Sequence, residues 1–290
     1  MPKMCLRGAV AGAILTAFSA AAVAAQDAPA AFAWQNSTEL SFVTASGNAS
    51  SSTLGLKSTL EGKGPINEFK FEIGGIRASS TFIDRSAVGT SPAPGDYLLT
   101  ETTRKEKSAE NYFARGRYDR KVGANYFVFS GAGWERNTFA GFNSRVSLVA
   151  GFGDAWIDNE RTLFKTDLGA TYTIQKDVEP TPDKKEGFGG LRATIDFKQA
   201  LTGNTDFESM LVADENLQNT DDLRLDGFVS LQVSMTEGLA LKTSYRVLFD
   251  NDPALISVPL NDAGGAAIGN VTLPSGKTDT FFTVSLVIKL

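Results

Sequence analysis

From Tyr126 to Ile157 the chain reads YFVFSGAGWERNTFAGFNSRVSLVAGFGDAWI, and this stretch alternates with a period of two. Val146, Leu148, Ala150, Phe152 and Trp156 share one parity, while Asn143, Arg145, Ser147 and Gly151 share the other. One face is apolar and its opposite is polar or tiny, which is the period of a strand and not of a helix. Tyr126, Val128, Ala132 and Trp134 repeat the pattern ahead of a turn around Arg136, Asn137 and Gly141, so the two runs predict a hairpin. Each run is about ten residues, which at roughly 3.3 Å per residue and a tilt of about 40° climbs about 25 Å, the height of the apolar band of a transmembrane barrel.

The same alternation recurs along most of the chain. Ahead of the hairpin, Leu40 and Phe42 oppose Glu39 and Ser41 after Trp34, and Leu54, Leu56 and Leu60 oppose Thr53, Gly55 and Lys57. Phe69, Phe71 and Ile73 then oppose Glu68, Lys70 and Glu72, and Tyr112, Ala114, Gly116 and Tyr118 oppose Asn111, Arg115 and Arg117. Beyond it, Leu168, Ala170, Tyr172 and Ile174 oppose Lys165, Asp167 and Gly169, and Leu191, Ala193 and Ile195 oppose Arg192, Thr194 and Asp196. A shorter strand lies around Phe207 to Val212. Leu223, Leu225, Val229 and Leu231 face away from Arg224, Asp226 and Ser230, Leu241 and Tyr245 away from Lys242, Ser244 and Arg246, and the chain ends on Phe282, Val284, Leu286 and Ile288 alternating with Thr283, Ser285 and Lys289. Four polar segments break the pattern and read as exposed loops: Arg77 to Lys107, with Ser91-Pro92-Ala93-Pro94-Gly95 inside it, Lys176 to Gly187, Asp214 to Asp221, and Asn251 to Lys277.

These elements predict an all-β protein, a single transmembrane antiparallel up-and-down β-barrel of about twelve strands spanning residues 34–290. Long connections follow odd strands and most connections after even strands are tight, the two-ended asymmetry of outer-membrane barrels. An even strand count puts both termini in the periplasm. Trp34, Tyr118, Tyr126 and Trp156 then fall at periplasmic strand ends and Tyr112, Trp134 and Tyr172 at external ones, as two aromatic girdles. A soluble sandwich would alternate too, with its apolar face turned inward. Strand length, strand number and the girdle positions favour the membrane.

Residues 1–25 read as a secretory signal, with Lys3 and Arg7 before the apolar run Ala9 to Ala22 and small residues Val23-Ala24-Ala25 at a cleavage site. Residues 26–33 read as a short leader. Cys5 lies in the signal, so the exported chain has no thiol, disulfide or cysteine-bound metal. The expected address is the outer membrane of a Gram-negative envelope, and the expected partners are outer-membrane lipid, the barrel-assembly machinery and small solutes. A net charge of -5 with both signs interspersed argues against nucleic acid.

Trp34, Ser46-Gly47-Asn48, Arg117-Tyr118-Asp119, the block Trp134 to Phe142 (WERNTFAGF), Arg145, Gly151-Phe152-Gly153 and Asp158-Asn159-Glu160-Arg161 occur in that order. In these the chain resembles the DUF481 family, whose members are described as salt-induced outer-membrane proteins. The resemblance covers nearly all of the chain after the signal and is most specific in the central block. It implies an outer-membrane barrel and no particular reaction. Leu290 departs from the aromatic residue that commonly closes such barrels.

With His 0 in the composition, a serine–histidine lipase or a histidine-dependent acyl-transfer enzyme has no imidazole to move its proton, so no catalytic residue is assigned. Gly276-Lys277-Thr278 lacks the first glycine and the following helix of a phosphate loop, and the pairs Gly131/Gly133 and Gly151/Gly153 read as close strand packing. Asp214, Glu215, Asp221 and Asp222 match no calcium-loop spacing and read as a solvated loop, so neither metal nor cofactor is expected. The remaining candidates line the inward faces: Arg115, Arg117, Arg145, Lys165, Asp167, Arg192, Asp196, Arg224, Asp226, Lys242 and Arg246. About twelve strands spaced roughly 4.8 Å and tilted about 40° enclose a backbone cylinder about 24 Å across, which long side chains narrow. Either these charges line a narrow pore for small polar or ionic solutes, or they pair and fill the lumen of a non-conducting structural or surface-binding barrel acting through its external loops. An excess of arginine and lysine on these faces predicts an anion preference, opposed by Glu39, Glu68 and Glu72.

Overall fold

The computed structural model describes residues 32–290 apart from 46–48, 90–96, 139, 180–184, 262, 264–265 and 275. The signal and all but the last two residues of the leader therefore lie outside the described residues. The first three strands are β1 (Ala33–Ala45), β2 (Ala49–Lys63) and β3 (Asn67–Gly89), followed by β4 (Tyr97–Lys121), β5 (Tyr126–Asn137) and β6 (Phe142–Asp158). Next come β7 (Thr162–Asp177), β8 (Gly187–Ala200), β9 (Thr205–Asn216), β10 (Leu223–Thr236) and β11 (Leu239–Asp250). A short pair, β12 (Leu255–Asn261) and β13 (Ala267–Pro274), precedes the final strand β14 (Thr278–Lys289). Each barrel strand pairs antiparallel with its sequence neighbour, and β14 closes the ring between β11 and β1. The closed barrel has twelve strands, β1 to β11 and β14.

Closure rests on Ser37 to Leu40 of β1 lying opposite Lys289 to Leu286 of β14. The backbone N–H of Leu290 also donates to the Asn36 carbonyl at 2.9 Å, so the seam holds with leucine in last place. Connections at the end carrying Ala33 and Lys289 run two to four residues. Those at the other end include 178–186, 217–222 and 251–277.

The polarity is inside-out. Leu40, Phe42, Leu54, Phe71, Leu148, Leu191, Leu231 and Phe282 are exposed on the outer surface, Phe282 at 70%. Glu39, Arg115, Arg145 and Lys165, of the opposite parity to the outward residues of their own strands, line the interior. A water-soluble barrel would reverse this, because apolar area exposed to water costs roughly 25 cal/mol per Å².

Two expected loops are strands. In place of the loop expected over Arg77 to Lys107, β3 runs through Gly89 and β4 starts at Tyr97, paired from Arg77↔Glu110 up to Gly89↔Tyr97. β5 stops at the level of Asn111, so the upper part of this hairpin stands above that neighbour as an arm. Residues Thr100 to Lys107 are exposed, so no face needed to be apolar and no period-two signal was written. Ser91 to Gly95 lie outside the described residues. Asn251 to Lys277 carries the β12–β13 hairpin, which pairs separately from the barrel wall. The acidic segment is likewise shorter than expected, because Asp214 and Glu215 belong to β9.

The wall between β5, β6 and β7 shows why glycine is required there. Phe127 and Phe129 turn inward and are 3% and 4% exposed. A Cβ at Gly153 would meet the Phe127 ring and the Thr166 carbonyl, and one at Gly169 would sit 3.0 Å from the Phe129 ring. Gly153→Val is expected to abolish the heat-sensitive folded band on an unboiled gel, since neither ring nor backbone can retreat. A folded fraction equal to the parent would contradict this packing.

Candidate functional site: the charged lumen

The interior holds a cavity of about 740 Å³. All eleven inward residues named from the sequence line it: Arg115, Arg117, Arg145, Lys165, Asp167, Arg192, Asp196, Arg224, Asp226, Lys242 and Arg246. Strand alternation puts them there, because the odd positions of β4 and β6 and the even positions of β8 and β10 point inward when their neighbours face out.

They fall into three groups. Along one wall runs a belt of alternating sign in which Glu61, Lys70, Glu72, Lys57, Glu39, Lys242, Glu208 and Lys198 each pair with the next. Its separations lie between 3.1 and 3.7 Å. It passes from β3 through β2, β1, β11 and β9 to β8, stepping over β14 and β10. A chain of this kind holds long side chains against the wall, where isolated exposed pairs contribute about 0–1 kcal/mol each.

The second group crosses the lumen. Lys165 of β7 donates to Glu68 of β3 at 2.9 Å, reaching over three intervening strands. Arg117 of β4 donates to Asp167 of β7 at 2.8 Å and to Asp119 at 2.7 Å, with its guanidinium 4.1 Å from the Phe129 ring centroid. The space opened by the β6 and β7 glycines is thus filled by rings carrying the cations. Below this tie lies a second cavity of about 310 Å³, between Asn125, Trp156, Asp158 and the same Glu68 and Lys165. The cross-lumen pairs separate the two chambers.

The third group lies in the upper chamber. Arg192 grips Asp214 with two hydrogen bonds at 2.8 and 2.9 Å, and Arg246 grips Asp226 at 2.7 and 2.6 Å. Such two-point pairs fix the guanidinium plane. Arg115 and Arg145 differ: among the described residues neither forms an ion pair, and each lies over a ring, Arg115 on Phe113 and Arg145 3.9 Å from the Phe142 centroid. Arg145 also donates to Gln175 at 2.7 Å. Asp196 keeps one buried carboxylate oxygen without a hydrogen-bond partner.

A strap roofs this chamber. Asn251 is tied to β10 and the β9–β10 loop through the Leu223 and Asp221 carbonyls, and Pro253 and Ala254 are buried. Ala254 packs directly on Gly141, whose φ of +85° no β-branched residue adopts cheaply. Gly141 precedes β6, with four strands between it and the β11 that launches the strap. The strap therefore spans the mouth.

Several lining residues were not on the inward list drawn from the sequence: Asp119, Glu135, Lys198, Glu208, Asp214 and Asp250. The described lining carries thirteen cationic and thirteen carboxylate side chains. This removes the expected cationic excess on the inward faces. The signal was present but blurred, since Phe127, Phe129, Met210 and Val212 are apolar yet face inward, and strict alternation hides where they interrupt it.

The aromatic residues form two bands on the outer face. Trp34, Tyr126 and Trp156 are exposed at the end carrying Ala33 and Lys289, with Tyr118 half-buried beside them, its hydroxyl donating to Asn67 at 2.7 Å. Trp134 and Tyr172 are exposed toward the other end, and half-buried Tyr112 packs beside Gly75. The indole N–H of Trp134 donates to Ser144 and that of Trp156 to Thr166, so both donors are satisfied on the apolar outer face.

A closed ring of strands with an apolar outside and a charged interior defines a membrane-spanning β-barrel. The chain belongs to the DUF481 family, described as proteins of unknown function, whose model matches residues 38–262. A relative, the uncharacterized protein YdiY of Escherichia coli (strain K12), is 23% identical over 153 residues, covering 52% of this chain and 58% of that protein. The match thus spans a little over half of the relative's length. Among solved structures, a NanC porin has a TM-score of 0.48 at 10% identity, over 88% of this chain and all of that one. An outer-membrane channel from Pseudomonas putida F1 has a TM-score of 0.44 at 11% identity, over 92% of this chain and 100% of that one.

Proposed function

We propose that this protein is a narrow channel of the outer membrane for small polar or ionic solutes, exported by its N-terminal signal and inserted by the barrel-assembly machinery. The observation that supports this best is the charged cavity of about 740 Å³ inside a wall whose outer face is apolar. Fixed charges of both signs in a narrow passage stabilise a partly dehydrated ion or dipole at successive positions, which is what selective conduction needs. Balanced lining charge supports weak ion selectivity in place of the anion preference expected from the sequence. No imidazole is present for proton transfer, which supports a role without catalysis.

A second reading, a non-conducting structural or surface-binding barrel, draws its support from the Lys165–Glu68 and Arg117–Asp167 pairs that bar the lumen. Single-channel recording in planar bilayers separates the two. Discrete conductance steps are expected, and the double change Lys165→Met with Glu68→Gln should raise their size by about twofold or more, because the narrowest layer sets resistance. Absence of steps from verified folded protein, with and without those changes, would retire the channel in favour of the second reading.

A further inference from the structure

In the upper chamber Arg145 forms no ion pair among the described residues, although it lies opposite Glu135 in the β5–β6 register and Asp250 lines the same cavity. Arg224, by contrast, is ion-paired with Asp222, its Nε 3.3 Å from that carboxylate though without hydrogen-bond geometry. The Glu135 carboxylate is held by a neutral donor instead, accepting from the Asn111 amide at 2.7 Å. Arg192 and Arg246 clasp their carboxylates directly, which Arg145 does not.

Guanidinium and carboxylate groups taken partly out of water and kept apart forgo the attraction that offsets desolvation. A guest can restore it. A simple anion drawn to Arg145 meets Glu135 and Asp250, and a simple cation drawn to either carboxylate meets Arg145. A molecule carrying both charges satisfies each side without opposing the other. The strap at Pro253 limits its size.

We propose that the upper chamber is a binding site for a small zwitterion, its carboxylate held by Arg145 and its ammonium by Glu135 and Asp250. This builds on the lumen as a solute path, but binding can be measured without conduction. Folded barrel in detergent is titrated calorimetrically with 4-aminobutyrate, and with butyrate and butylammonium as singly charged counterparts of the same stem. Saturable binding of 4-aminobutyrate is expected, with each counterpart about tenfold weaker or more, a difference of about 1.4 kcal/mol. Glu135→Gln should weaken 4-aminobutyrate while strengthening butyrate, a crossed response that mere loss of structure does not produce. Arg145→Gln should weaken both carboxylates, and Arg145→Lys should recover part of the loss. Butyrate binding as tightly as 4-aminobutyrate, or no saturable heat from folded protein, would overturn the site. A barrel that binds but passes no current keeps this site and retires the channel; one that conducts without binding does the reverse.

Discussion

Phe152→Arg should cost about 2–4 kcal/mol of folding stability in lipid vesicles, the penalty for a guanidinium near the middle of a bilayer. Phe152 is 64% exposed on β6, between the aromatic band at Trp134 and the one at Trp156. On a water-facing surface so exposed a residue tolerates arginine within about 0.5 kcal/mol, and losing a solvated phenylalanine is often favourable. The two environments therefore predict different magnitudes from one substitution. Urea titration of vesicle-refolded protein measures it, with Phe282→Arg on β14 as a second position on the same outer face, 70% exposed. Changes below about 0.5 kcal/mol at both positions would place the outer face in water and overturn the membrane reading.

Gly141→Val should lift the strap from the mouth. The new Cβ would collide with Ala254, and valine at a φ of +85° carries strain of about 1–3 kcal/mol before the collision is counted. Since about 1.4 kcal/mol is tenfold in population, the strap should leave its seat about ten times more often or beyond. Pro253→Cys in a Cys5→Ala background supplies a single thiol, as Cys5 is the only cysteine in the sequence. Pro253 is buried, so a membrane-impermeant maleimide should label it slowly in the parent and about tenfold faster with Gly141→Val. Equal rates would show that the contact between Ala254 and Gly141 does not hold the mouth closed.

Twelve barrel strands were legible because each wall residue has one neighbour in lipid and the next in a polar lumen, and that contrast is written into the chain at period two. Where the contrast is missing the reading failed. The upper halves of β3 and β4 are polar on both faces, so a paired arm looked like a loop, and β12 and β13 pair only with each other. Gly151 and Gly153 read as sites of close packing, but nothing local says that the Phe127 and Phe129 rings occupy the space beside Gly153 and Gly169.

The inward residues followed from parity alone, and their partners did not. Parity assigns Lys165 and Glu68 to the lumen, while their meeting depends on barrel circumference and stagger, which bring residues 97 positions apart to 2.9 Å. The same closure decides that Arg117 is tied, that Arg115 and Arg145 are left without ion pairs among the described residues, and that a strap leaving β11 lands on Gly141 across the mouth. Alternation by itself therefore determined which side of the wall each residue faces, because that is a local property of a strand. Only the closed ring decided which charges meet, because distance across a lumen is set by all twelve strands together and is recorded at no single position.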